Sequence, residues 1–312
     1  DIGGATTDVF SVFDGTFTRT VSANLGMSYS VSNVLAEAGV ENIMRWVPFS
    51  IDESDLRNRI KNKMIRPTTI PQLLEELKIE QAISREALRL AFEQHKSLAV
   101  KLKGVQKARD ISQAFRAEEE ETLVDMLKLD LLIGSGGVLS HAPRRSQAMM
   151  MLIDAFEPQG TTRIAVDSIF MMPHLGVLST VNPGAAQEVF VKDCLVHLGT
   201  CIAVINSRRP GENCLKVKIT LPGGKIIDDA ITSGEVKLYQ LSADEEAEIE
   251  VHPTRYYDVG RGMGSAIKEK VRGGVVGLVI DARGRPISIP AAGDKRIAQL
   301  SSWAKAFDAY PA

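Results

Sequence analysis

The sequence predicts an α/β fold that carries two glycine-rich turns at strand ends. Residues 1–8, Asp1-Ile2-Gly3-Gly4-Ala5-Thr6-Thr7-Asp8, read as a strand end entering a tight turn and leaving it as a second strand. Further on, Leu129-Asp130-Leu131-Leu132-Ile133 reads as a buried strand, followed by Gly134-Ser135-Gly136-Gly137 and a helix over 143–156. A strand, then glycines, then a helix is the place where open α/β sheets bind ligands. Between the two turns residues 51–128 read as helical, and beyond residue 201 the chain turns to short β-like runs.

The elements follow in order. Asp14-Gly15 marks a hairpin turn between strands 7–13 and 16–22. Both flanks are rich in Thr, Val and Phe, as strands prefer, and with the strand end ahead of them they are expected to start a mixed sheet. Residues 24–39 read as a helix with Val31, Val34, Leu35 and Ala38 on one face and Gly39 after its end. In the helical block Asp52 is expected to cap a helix carrying Leu56, Ile60 and Met64. Pro71 is expected to open a short helix, and Ser84 to cap a long one striped by Leu88, Ala91, Phe92, His95, Leu98 and Leu102. His95 on that stripe reads as a satisfied core histidine. The acidic run at 118–121 suits a helix start. Residues 164–170 read as a strand, and Asn182-Pro183-Gly184-Ala185-Ala186 opens an Ala-rich helix. The β-like runs are 201–207, 215–221, 235–241, 248–252 and 274–281, with a last helix over 303–310.

Composition narrows the class. The 312 residues allow two domains, and 37 Lys and Arg against 39 Asp and Glu leave a net charge of −2. No global field therefore favours nucleic acid. No apolar run approaches the roughly 20 residues that span a bilayer, so no membrane is expected. Three cysteines cannot all pair within one chain, and a cytoplasmic setting is expected. The chain opens inside a motif without Met, so further residues of the same protein are expected ahead of Asp1.

The chemistry concentrates in the two turns. Adjacent glycines let backbone N–H groups approach an oxygen-rich ligand where a Cβ would collide. Asp1 is suited to hold a Mg²⁺-bound water, and Thr6 and Thr7 to donate to phosphate. A lone Gly-Gly would read as hairpin geometry; the acid before it and Thr-Thr-Asp after it favour a phosphate site.

This turn resembles the second phosphate motif, Asp-x-Gly-Gly-x-Thr, of the actin, heat-shock chaperone and sugar-kinase superfamily, with Ala5 where many members have Gly. The wording through Val9, with Ser11-Val12 after it, most resembles the glutamate mutase accessory protein family, MutL, which is unrelated to the mismatch-repair proteins of that name. The second turn resembles the adenosine motif of the same superfamily. Gly136 and Gly137 match it best, with Gly134 and Ser135 beside them. The Pro-then-Ala helix near 183 and the closing Gly-Leu-Val-Ile-Asp-Ala-Arg-Gly-Arg-Pro-Ile extend the resemblance in outline to residue 290.

The resemblance implies an actin-like (ribonuclease H-like) second half over 1–195 with a helical insert at about 51–128, and a β-rich C-terminal domain over 196–312. It implies ATP and Mg²⁺ as ligands, with Asp1, Gly3, Gly4, Thr6 and Thr7 on phosphate and metal, and Gly134, Ser135, Gly136 and Gly137 on adenosine. It further implies a chaperone-like reactivating factor for an adenosylcobalamin-dependent mutase such as glutamate mutase. Turnover is expected of the full-length protein and not of this chain, which lacks the superfamily's first phosphate motif. A hydantoinase or oxoprolinase-type hydrolase and a non-hydrolysing scaffold are the alternatives. Both turns should face one cleft, and Gly136→Val should weaken ATP binding without unfolding the chain.

Other constellations point to structure. Cys194, His197, Cys201 and Cys214 would supply four soft ligands for zinc, but their spacing matches no familiar finger. Gly260-Arg261-Gly262-Met263-Gly264 has Ser265 where a dinucleotide motif needs its third small residue, and reads as a turn. Met149, Met150 and Met151 read as core.

Overall fold

Alternation along two strands sets the layering. In β5 (Leu195–Ala203) and β11 (Gly277–Asp281), Cys201 and Val279 join one core while Ile202, Leu278 and Ile280 join another. A strand buried on both faces belongs in the middle layer of a fold. The computed structural model describes residues 1–100, 122–206 and 210–311, and places both strands inside a five-stranded sheet. Its order is β3 (Leu131–Gly134), β4 (Gly160–Asp167), β5, β11 and β8 (Val236–Tyr239). β3 and β4 run parallel, as do β5 and β11; the other two pairings are antiparallel. On one face lie α4 (Leu74–Leu98), α6 (Arg145–Phe156) and α9 (Gly293–Ala306), which bury Leu88, Ala91, Met149, Met151 and Trp303 in the first core. On the other lies an antiparallel sheet ordered β10 (Ile267–Arg272), β9 (Glu246–Pro253), β6 (Asn213–Thr220), β7 (Ile226–Thr232). The molecule is thus mixed α/β, and β4 pairs with β5 across the division expected at residue 195.

The hairpin forms as expected. β1 (Thr7–Phe13) and β2 (Thr16–Ser22) pair in one register, with Asp14 at φ 49° and Gly15 at φ 76° in the turn. Positive φ at both central residues matches the right-handed strand twist. The hairpin does not continue into the large sheet. Its link runs through Ile2, which bridges Thr7 and donates its N–H to the Ser135 carbonyl at 2.9 Å.

Beneath the hairpin, His95 of α4 is buried between two hydroxyls. Ser11 Oγ lies 2.7 Å from Nε2 and Thr20 Oγ1 2.9 Å from Nδ1. Burial lowers its pKa below the ordinary 6.5, so the unfolded chain takes up a proton before the folded one does. Stability is then complete above pH 6.5 and falls on acidification through that value. Urea midpoints of the wild type and of His95→Gln, measured between pH 7.5 and roughly 5.5, should converge as the pH drops.

Several elements differ from expectation for local reasons. The helix expected over 24–39 is confined to α1 (Val31–Ala38), because Met27 and Ser28 donate their N–H groups to the Gly3 and Gly4 carbonyls, each at 2.9 Å. α2 (Val40–Met44) follows it, and α3 (Glu53–Ile65) begins at Asp52, whose Oδ1 accepts the Asp55 N–H at 2.9 Å. Ser84 caps nothing. It lies inside α4, its hydroxyl turned back to the Glu80 and Gln81 carbonyls at 3.1 Å. α7 (Met172–Ser179) and α8 (Pro183–Val189) follow β4, and the last helix is α9, which ends before 310, while β7 and β10 carry charged outer faces that hid their period. Leu102 and the acidic run at 118–121 lie outside the described residues.

Cys201 sits in the helix-side core and Cys214 in the core between the sheets, and burial pushes both thiols up to about 12. Among the described residues no group of three or more His, Cys, Asp or Glu is placed to hold a metal. The 260–264 loop wraps its own anion: Asp258 Oδ1 accepts the N–H groups of Gly260, Arg261 and Gly262 at 2.8–3.1 Å. Met149, Met150 and Met151 are buried.

Candidate functional site

The first turn is held from below. Gly3 donates its N–H to the Thr6 carbonyl at 2.8 Å, and Asp8 its N–H to the Asp1 carbonyl at 2.8 Å. Gly26 lets this loop close, since a Cβ there would overlap the Ala5 backbone. Thr7 is buried and donates its hydroxyl to the Leu25 carbonyl at 2.6 Å, so in this structure its hydroxyl secures the loop. Thr6 lies near Asp8, with 3.4 Å between Oγ1 and Oδ2, and Asp8 pairs with Arg19 at 3.0 Å. Asp1 Oδ1 is buried without a hydrogen-bond partner among the described residues.

The second turn meets the first directly. Gly136 has φ 104°, and a Cβ on it would overlap the Ile2 carbonyl oxygen. Its missing side chain is therefore what lets the two loops touch, which corrects the expectation that Gly136→Val would leave the chain folded. Gly134 is packed differently, its Cβ position meeting Leu139 and Leu152 at 2.9 Å. Ser135 is buried with its hydroxyl unpartnered among the described residues. Gly137 is exposed, with open space where a Cβ would stand.

Both turns open on one cavity of about 940 Å³, within the range of small-molecule sites. Gly3, Gly4, Gly136 and Gly137 line it, as do Met27 and Ser28. One wall comes from α5 (Gly137–Ser140) and the start of α6, through Val138, His141, Pro143, Arg144 and Gln147. The facing wall comes from the stretch between α3 and α4, where Pro67 and Pro71 bracket exposed Thr and Ile, and from Lys63 at 2.9 Å from Glu80. Phe170 and Pro311 complete it. Arg144 Nη1 also donates to the Asp308 carbonyl at 2.8 Å, and Gln147 Nε2 to the Ala309 carbonyl at 2.7 Å, so two lining side chains fasten the end of the described chain.

A family model described as MutL protein matches residues 1–194. The chain belongs to the MutL family. These are the glutamate mutase accessory proteins that its opening motif resembles. A curated relative, Protein MutL of Clostridium tetanomorphum, is 23% identical over 214 residues. That alignment covers 62% of this chain and 44% of the relative, so the chain spans less than half of that protein's length. No solved structure matches the chain.

The MutL match contains both glycine turns and nearly all of the cavity. Pro311 lies outside it. Ser28, Lys63, His141, Arg144, Gln147 and Phe170 were not anticipated as lining residues. Pro71, on the same wall, was expected only to open a helix. Among the described residues, no helix is long and apolar enough to cross a membrane.

Proposed function

We propose that this cavity binds ATP with Mg²⁺, and that the protein is an ATP-binding accessory factor that reactivates an adenosylcobalamin-dependent mutase such as glutamate mutase in the cytoplasm. The observation that carries the reading is the direct contact of Gly136 with Ile2, which brings two glycine turns more than a hundred residues apart onto one cavity. Backbone N–H groups without Cβ atoms suit phosphate oxygens. Asp1, with a buried carboxylate oxygen lacking a partner among the described residues, suits a metal-bound water. Membership in the MutL family supports the accessory role.

Calorimetry with Mg-ATP on the full-length protein is the direct test. Gly137→Val places a side chain in open space beside the glycines and disturbs no packing, so it should lower ATP affinity about tenfold or more, the scale of one lost well-made contact. Unchanged affinity would remove Gly137 from the site. ATP binding without single-turnover hydrolysis would favour a scaffold over an ATPase. Hydrolysis of cyclic amides would replace the proposal by the hydantoinase alternative. Recovery of a substrate-inactivated mutase on addition of the protein and ATP tests the accessory role.

A further inference from the structure

Four non-glycine residues among those described have positive φ: Asp14, Glu157, Phe170 and Asp308. Three are acids in ordinary places for that conformation. Asp14 is in the hairpin turn, Glu157 ends α6, and Asp308 lies just past α9. Asp visits the left-handed region with local support, and the residue that ends a helix commonly adopts it. Phe170, at φ 58°, has no such reason. A bulky residue held there is strained, and such strain persists only where the surroundings over-determine it.

The surroundings do so. Phe170 follows β4, whose last residue, buried Asp167, accepts the N–H of Ile169 on Oδ1 at 3.3 Å and that of Met172 on Oδ2 at 3.0 Å. The two bonds straddle Phe170 and fix its backbone. The Asp167 carbonyl is held by the Ser140 hydroxyl, and the Ser168 N–H by the Cys194 carbonyl at 2.8 Å. Phe170 is nevertheless 42% exposed and lines the cavity. β3 and β4 are parallel neighbours, so the Gly134–Gly137 turn and the Phe170 turn rise from the same sheet edge. A bulky residue held in a strained backbone at a cavity wall points to a ligand.

We infer that Phe170 is the residue on which the nucleobase of the bound nucleotide stacks, an inference that rests on the nucleotide reading above. An aromatic face accepts any base face, and such stacking makes affinity depend on the base and not on the phosphates.

The test uses Phe170→Gly and Phe170→Tyr in the full-length protein, with Mg-ATP and Mg-tripolyphosphate as separate probes. Glycine relieves the positive φ, so the melting temperature should hold or rise. ATP affinity should fall about 10- to 100-fold, while tripolyphosphate, which has no base, should bind as it does to the wild type. Phe170→Tyr should retain ATP affinity. Equal ATP affinity in the wild type and Phe170→Gly would overturn the inference, and so would an equal loss for tripolyphosphate. Failure of the wild type to bind ATP at all would instead overturn the nucleotide reading, and this inference with it.

Discussion

Asp281→Ala should destabilise the chain by about 3–5 kcal/mol, the usual cost of leaving a buried charge without its partner. That is a large part of the roughly 5–15 kcal/mol that holds a domain folded. Asp281 Oδ1 accepts from the Arg283 backbone N–H at 3.0 Å and from Arg283 Nε at 2.9 Å. Oδ2 accepts from Arg283 Nη2 at 2.8 Å and Arg285 Nη2 at 3.0 Å. Arg283 reaches on to Asp154 at 2.7 Å, and Asp154 to Arg85 at 2.7 Å, so the chain of charges ties the end of β11 to α6 and α4. All five side chains are buried. Burial alone would raise the Asp281 pKa, but Arg283 and Arg285 outweigh it and hold the carboxyl below the ordinary carboxylate range. A depressed folded pKa means that this stability is present at neutral pH and is lost only as the pH falls through the folded value. Chemical denaturation of the wild type and of Asp281→Asn should therefore stay apart at pH 7 and pH 5 and converge only in strong acid. Equal stabilities at pH 7 would refute the assignment.

What the sequence showed well was whatever its local chemistry decides. Asp14-Gly15 forces the hairpin turn, and the residues pairing on either side were legible to the residue. The apolar run before Gly134 and the helix beyond Pro143 were equally plain, although β3 lies at the sheet edge with Leu131, Leu132 and Ile133 only half-buried, not as the buried strand expected. What stayed hidden was decided at a distance. Ser84 looked like a cap, yet its hydroxyl satisfies itself on the preceding turn while α4 continues to Leu98 against α6. Thr7 looked like a phosphate ligand, but the alternation of β1 turns it inward to Leu25. The join of β4 to β5 had no local signal, since antiparallel partners are chosen by burial across some thirty residues of intervening chain. In the site, the glycines were readable as glycines. Which of them faces the cavity and which faces another loop was not.

That distinction sets the largest effect expected within the site. Gly136→Val should destabilise the fold by roughly 2–6 kcal/mol, taking 1–3 kcal/mol for a side chain in a backbone region reserved for glycine and 1–3 kcal/mol for overpacking. Gly136 combines φ 104° with ψ 160°, and the atom its Cβ would overlap is the Ile2 carbonyl oxygen, part of a backbone that has nowhere to go. Ile2 cannot yield, because its own N–H is held by the Ser135 carbonyl at 2.9 Å and its side chain is buried. The variant should therefore drive the two turns apart and lower the melting temperature whether or not a nucleotide is present. Gly137, one residue on, has no atom within 4 Å of its Cβ position and φ outside the left-handed region. Valine there should leave the melting temperature within a degree or two of the wild type, the scale of a surface substitution. Comparing thermal melts of the two variants without ligand separates the glycine that joins the loops from the one that faces the cavity. Equal melting temperatures for Gly136→Val and the wild type would mean that the loops do not touch through Ile2, and the shared cavity would lose its floor.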